Sequence, residues 1–65
     1  MSKLQDARKA AGLSQSKLAE VAGISVRSLQ EYEQGRKDVN GVRGITLYKL
    51  AQALNVNIED ILERD

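Results

Sequence analysis

The sequence predicts an all-α fold, a compact bundle of five short helices, and three observations carry that prediction. Apolar side chains recur at helical spacing along most of the chain. Glycines at positions 12, 23 and 35 interrupt that periodicity where helices need a terminating residue. The 65 residues contain no proline, and the hydrophobic fraction of 42%, supplied mainly by Leu, Ile, Val and Ala, belongs to a globular rather than a disordered chain. A chain of this length is expected to form one domain, residues 1–65, that buries about 60% of its unfolded surface and is stable by a small margin.

The first helix is expected over about Ser2–Ala11, with Gly12 ending it. The second, about Ser14–Ala22, takes Ser14 as its N-cap, places Leu18 and Ala22 on one face at i, i+4, and stops at Gly23. The third, about Ser25–Gln34, starts from Ser25, turns Leu29 and Tyr32 inward at i, i+3, and ends at Gly35. Lys17 and Ser28 stand where a full capping box needs Glu or Gln, so both starts rest on the serine alone. Thr46 is the expected cap of a fourth helix, Thr46–Leu54, in which Leu47, Leu50, Ala51 and Leu54 form an i, i+3, i+4, i+7 stripe facing the core. A fifth, Ile58–Glu63, is expected to be capped by Asn57, with Asp60 in its acidic first turn and Val56, Ile58, Ile61 and Leu62 as apolar cover.

Residues 14–34, SQSKLAEVAGISVRSLQEYEQ, should set the second and third helices at a steep angle through a glycine turn. Helices joined this way approach closely at the elbow, and bulky side chains cannot fit there. Ala19 supplies the small side chain, Gly23 the positive φ, and Ile24 the apolar plug. Left outward on the third helix are Val26, Arg27, Gln30, Glu31 and Gln34, a mixed polar surface that can discriminate bases.

From Gln15 to Gln34 the chain resembles the phage-repressor (Cro-like, XRE-type) helix-turn-helix family, with Ala19, Gly23, Ile24, Leu29 and Tyr32 at its diagnostic positions. The likeness extends over nearly the whole chain, through LSQSKLAEVAGIS, SLQEYEQGR and ITLYKLAQALNVNIEDIL in order. It implies a transcriptional repressor that binds the inverted-repeat operator of double-stranded DNA as a homodimer, with the third helix in the major groove. In that arrangement Val26, Arg27 and Glu31 meet base edges. Arg27 can donate two hydrogen bonds to guanine N7 and O6, a pairing that discriminates by about 1–3 kcal/mol. Val26 can press on a thymine methyl. Glu31 stands where several family members carry an amide; it can accept from cytosine N4 or repel phosphates in wrong registers. Gln15, first residue of the motif, carries an amide that bonds a phosphate in family members, and Ser14, Ser25 and Ser28 can add hydroxyl or backbone N–H contacts. Arg8 and Glu33 resemble the family's internal ion pair between its first and third helices.

The net charge is only +1, but its distribution is uneven. Residues 1–13 carry Lys3, Arg8 and Lys9 against Asp6, and residues 36–44 carry Arg36, Lys37 and Arg43 against Asp38. Residues 45–65 carry Lys49 and Arg64 against Glu59, Asp60, Glu63 and Asp65, so the C-terminal third should face away from a phosphate backbone. The longest irregular stretch, GRKDVNGVRGI, places Arg36, Lys37 and Arg43 where they can neutralise phosphates beside the groove.

The sequence contains neither Cys nor His, which removes disulfides, thiol chemistry, the common zinc ligands and the usual general base. No metal and no cofactor are expected. Nor is there a nucleophile–base pair, a phosphate loop or a carboxylate pair at useful spacing, so an enzyme is not expected. With no run of about 18 apolar residues and no signal-peptide pattern, a soluble cytoplasmic protein is expected. The other use of such a fold is a protein-interaction module such as an antitoxin or co-regulator, which needs an exposed apolar patch. Val42, Val56 and Ile61 are the candidates for one.

Overall fold

Each of the first three helices begins where a serine side chain can accept an otherwise free backbone N–H. Ser2 Oγ accepts from Gln5, Ser14 Oγ from Lys17 and Ser25 Oγ from Ser28, each at 3.0 Å. The computed structural model describes residues 2–63. Among them the elements are α1 (Lys3–Ala10), α2 (Gln15–Ala22), α3 (Val26–Glu33) and α4 (Gly44–Leu54), with single 3-10 turns at Val39–Gly41 and Ile58–Asp60. Arg64 and Asp65, counted in the acidic C-terminal charge, lie outside the described residues.

The bundle thus has four α-helices rather than five. Where a fifth was expected, Ile58–Asp60 makes one tight turn, closed by Asp60 N–H to Asn57 O at 3.0 Å and Ile61 N–H to Ile58 O at 3.1 Å. Asn57 holds its N-cap position, as expected, and Asp60 closes a capping box on it. Asp60 Oδ2 accepts the N–H of Asn57 at 2.9 Å. The turn does not propagate because the backbone beyond it is claimed by another segment. Asn40 Nδ2 donates to Glu63 O at 2.7 Å, and Glu63 N–H donates to Asn40 Oδ1 at 3.1 Å. The start of α4 also differs from expectation. Thr46 lies inside the helix, and Arg43 holds the N-cap position with no side-chain cap, its carbonyl accepting the N–H of Leu47 at 2.9 Å. Val39, which is buried, and Val42, packed against the core, anchor the preceding loop and deliver the chain into helical register before Thr46 is reached.

Leu4 from α1, Leu18, Ala19 and Ala22 from α2, Leu29 from α3, Leu50, Ala51 and Leu54 from α4, and Val39 and Ile61 from the connecting turns form one buried cluster. α4 packs chiefly against α2, while α3 is held between α2 and α1. The stripe predicted for α4 is therefore its inner face, with Leu47 partly buried at its edge. The apolar residues proposed for an exposed patch are not exposed. Ile61 is fully buried and Val42 and Val56 pack against the core; among the described residues the exposed large apolar side chains are Val21, Ile45 and Tyr48.

At the elbow, Gly23 adopts φ +74° and ψ +29°. Its N–H bonds Glu20 O at 3.2 Å, and the following N–H of Ile24 reaches back to Ala19 O at 3.0 Å. This left-handed closure reverses the chain within one residue and turns Ile24 onto the core. A Cβ built on Gly23 meets nothing within 4 Å, so the requirement for glycine is conformational rather than steric. Gly23→Ala should cost about 1–2 kcal/mol, read as a lower urea midpoint at unchanged slope. Asn55, at φ +57°, ends α4 in the same way; asparagine is the residue after glycine that best tolerates this region.

Candidate nucleic-acid interface

α3 presents a narrow polar edge, because Leu29 and Glu33 on its other side are buried. Arg27 is exposed and forms no ion pair with any other described residue. Glu31, one turn on, is the partner that could have occupied it. Instead Glu31 Oε1 lies 3.2 Å from Lys37 Nζ, and that ammonium also sits 6.0 Å from the centre of the Tyr32 ring. Two of the predicted DNA contacts are therefore paired with each other, and Arg27 is left facing outward. Val26 is not a purely outward residue: it is half-buried and packs against the core, so only part of its side chain can meet a ligand.

Behind this edge lies a polar chain that joins three helices. Glu33, with its side chain wholly buried, accepts from Arg8 Nε at 2.7 Å and Arg8 Nη2 at 3.1 Å. Arg8 Nη1 also donates to Leu13 O at 2.9 Å, tying the α1–α2 connection into the pair. The ion pair expected from the family resemblance is therefore formed, in a bidentate arrangement. Gln15 extends it, with Nε2 donating to Glu33 Oε1 at 3.0 Å and Oε1 accepting from Gln30 Nε2 at 3.2 Å. The amide expected to reach a phosphate is thus engaged inward, leaving its second N–H and the free backbone N–H groups at the start of α2 as donors. Sequence reasoning missed Gln15's internal role. The signal was available in Glu33, which falls four residues after the core residue Leu29 and so must find partners for a carboxylate on the inner face.

The serines serve first as caps. Ser14 Oγ is used by Lys17 N–H, and Ser25 Oγ both accepts the Ser28 N–H and donates to Ser28 Oγ at 3.1 Å. After α3, Glu31 O accepts the N–H of Arg36 at 2.9 Å and of Lys37 at 3.2 Å, folding the basic loop back on the helix. Arg36, Lys37 and Arg43 are exposed. Asp38 caps the 3-10 turn by accepting the Asn40 N–H at 2.9 Å, which gives this loop an internal structure that was not read from its composition.

A family model described as helix-turn-helix matches residues 4–61. The chain belongs to the helix-turn-helix family, of the Cro-like, XRE type. Membership makes it a DNA-binding regulator of transcription, and α2, the Gly23 turn and α3 are its helix-turn-helix. Among solved structures, the chain is similar to the crystal structure of the restriction-modification controller protein C.AhdI from Aeromonas hydrophila. The two share 31% identity and superpose with a TM-score of 0.75, over 89% of this chain and 83% of that one. Among curated proteins, none matches. No helix among the described residues is long and apolar enough to cross a membrane.

Proposed function

We propose that this helix-turn-helix protein is a transcriptional repressor that binds an inverted-repeat operator as a homodimer, with α3 in the major groove. The observation that carries the reading is Arg27, exposed and without an ion-pair partner among the described residues, on an α3 whose orientation is held by the buried Arg8–Glu33 pair. Val26, Arg27 and Glu31 then read base edges, Glu31 after parting from Lys37 or while still bound to it. Gln15, Ser14, Ser25, Ser28, Arg36, Lys37 and Arg43 flank them as phosphate contacts, through side chains or helix-start N–H groups. The likeness to a restriction-modification controller protein supports the regulatory side of this reading.

Size supports the dimer. The Cα extents are 28 × 22 × 22 Å, so with side chains added two copies on half-sites about 34 Å apart, one helical turn of DNA, are near enough for a contact between neighbouring faces. Ile45 and Tyr48 on α4 are the exposed apolar side chains available for that contact, beside an open groove lined by Ala51, Gln52, Val56 and Ile58.

Selection from a randomised duplex library tests the reading, and enrichment of an inverted repeat is the expected result. Arg27→Ala should then abolish the preference at one base pair of each half-site, a loss of about 1–3 kcal/mol there. Arg36→Ala should weaken all sequences alike and reduce the slope of log K against log salt by about 1. Equal losses on every sequence for both variants would refute the division of labour.

A further inference from the structure

Gln30 belongs to the outward polar surface of α3 but has no contact assigned to it above, and it sits at the outer end of the polar chain that begins at the buried ion pair. It follows Val26 by four residues and Arg27 by three, which places it on the same edge of α3. Its Nε2 donates to Gln15 Oε1 at 3.2 Å, while its Oε1 takes no hydrogen bond from the described residues. No fully buried side-chain oxygen among those residues lacks a partner, so Gln30 Oε1, which has none, keeps some contact with solvent.

We infer that Gln30 is a specificity-determining residue that reads adenine, with an amide whose orientation is set through Gln15 by the buried carboxylate of Glu33. The inference rests on the proposed docking of α3 in the major groove. An isolated glutamine amide can turn over and exchange its donor and acceptor ends at little cost. Here the chain of contacts prevents that. A carboxylate paired with Arg8 has only acceptors to offer, so Gln15 must direct its NH2 group at Glu33 and its carbonyl oxygen away from it. That oxygen faces Gln30, which must in turn direct its own NH2 group inward and its oxygen outward. Turning either amide over would set oxygen against oxygen at a partly buried site. The outward edge of Gln30 then carries one acceptor and the remaining N–H. Adenine offers the matching pair in the major groove, an N6 donor beside the N7 acceptor, whereas guanine offers two acceptors. Gln15 and Glu33 act as positioning residues, and the discrimination gained is that of an amide ordered before it meets the base.

The test is library selection by the full chain, followed by binding to duplexes altered at single base pairs, for the unmodified protein and for Gln30→Met, Gln15→Met and Arg27→Ala. Thermal denaturation establishes that each variant is folded. The unmodified protein should prefer an A·T pair at one position per half-site by roughly five- to hundredfold. Gln30→Met should erase that preference and leave the Arg27-dependent position unchanged. Gln15→Met should reduce the preference at the same position, and the double variant should match Gln30→Met there. Because Gln30 is half-exposed, Gln30→Met provides the decision even if Gln15→Met does not fold. The inference is overturned if Gln30→Met leaves the profile unchanged, or if Gln15→Met weakens every sequence equally. Should the unmodified protein enrich no sequence, the docking of α3 fails first and the inference with it. A profile that loses its Arg27-dependent position in Arg27→Ala but never depends on Gln30 leaves the docking intact and sinks this inference alone.

Discussion

Arg8→Met should destabilise the protein by about 3–5 kcal/mol. The guanidinium is the partner of a carboxylate with no solvent exposure, and methionine fills much of the same space without supplying a donor. Glu33 would keep only Gln15 as a hydrogen-bond donor, and Leu13 O would lose the bond from Arg8 Nη1. Domains of this size have about 3–10 kcal/mol of stability in total, so the variant should lose about a third of it or more. Urea denaturation followed by circular dichroism measures the loss. Replacing both members of the pair, Arg8→Met with Glu33→Met, should cost less than the sum of the single replacements, because no buried charge is then left unpaired. A loss below about 1 kcal/mol for Arg8→Met would mean that the pair behaves as a solvated surface contact.

Leu50→Ala should cost about 2–5 kcal/mol and lower the melting temperature by roughly 10 °C or more. Leu50 is fully buried on α4, the helix that packs chiefly against α2 and carries none of the proposed DNA contacts. Removing three carbons there leaves a cavity that only a shift of α2 or α4 can close. The same variant, assayed at a temperature where it remains folded, should select the same base pairs as the unmodified protein. An altered base preference would show that α4 packing sets the angle of α3 and does more than support it.

The elements are legible in the sequence where local chemistry decides them. The serine caps, the positive φ at Gly23, the inner positions Leu18, Ala19, Ala22 and Leu29, and the stripe of α4 all follow from short-range periodicity and from backbone terms confined to a few residues. They are not legible where distant partners compete. Residues 58–63 have the apolar pattern of a helix, but Asn40 takes the backbone N–H and carbonyl of Glu63 and the chain stops after one turn. The apolar residues offered for an exposed patch were misplaced for the same reason. Ile61 is buried only because the chain returns across the bundle, while Ile45 and Tyr48 lie on the outer face of α4.

The candidate site divides along the same line. The sequence by itself determined the helix-turn-helix, the family and which polar residues share the outward edge of α3, because spacing along one helix fixes which side chains share an edge. Only the tertiary structure decided how those residues are paired. Lys37 returns from the loop to neutralise Glu31, leaving Arg27 on α3 without an ion-pair partner among the described residues. Arg8 arrives from α1 to bury Glu33, and Gln15 from α2 carries the polarity of that carboxylate to Gln30. A carboxylate accepts from whichever donor the packing brings within about 3 Å, and residues 25 positions apart in sequence come that close only when three helices meet.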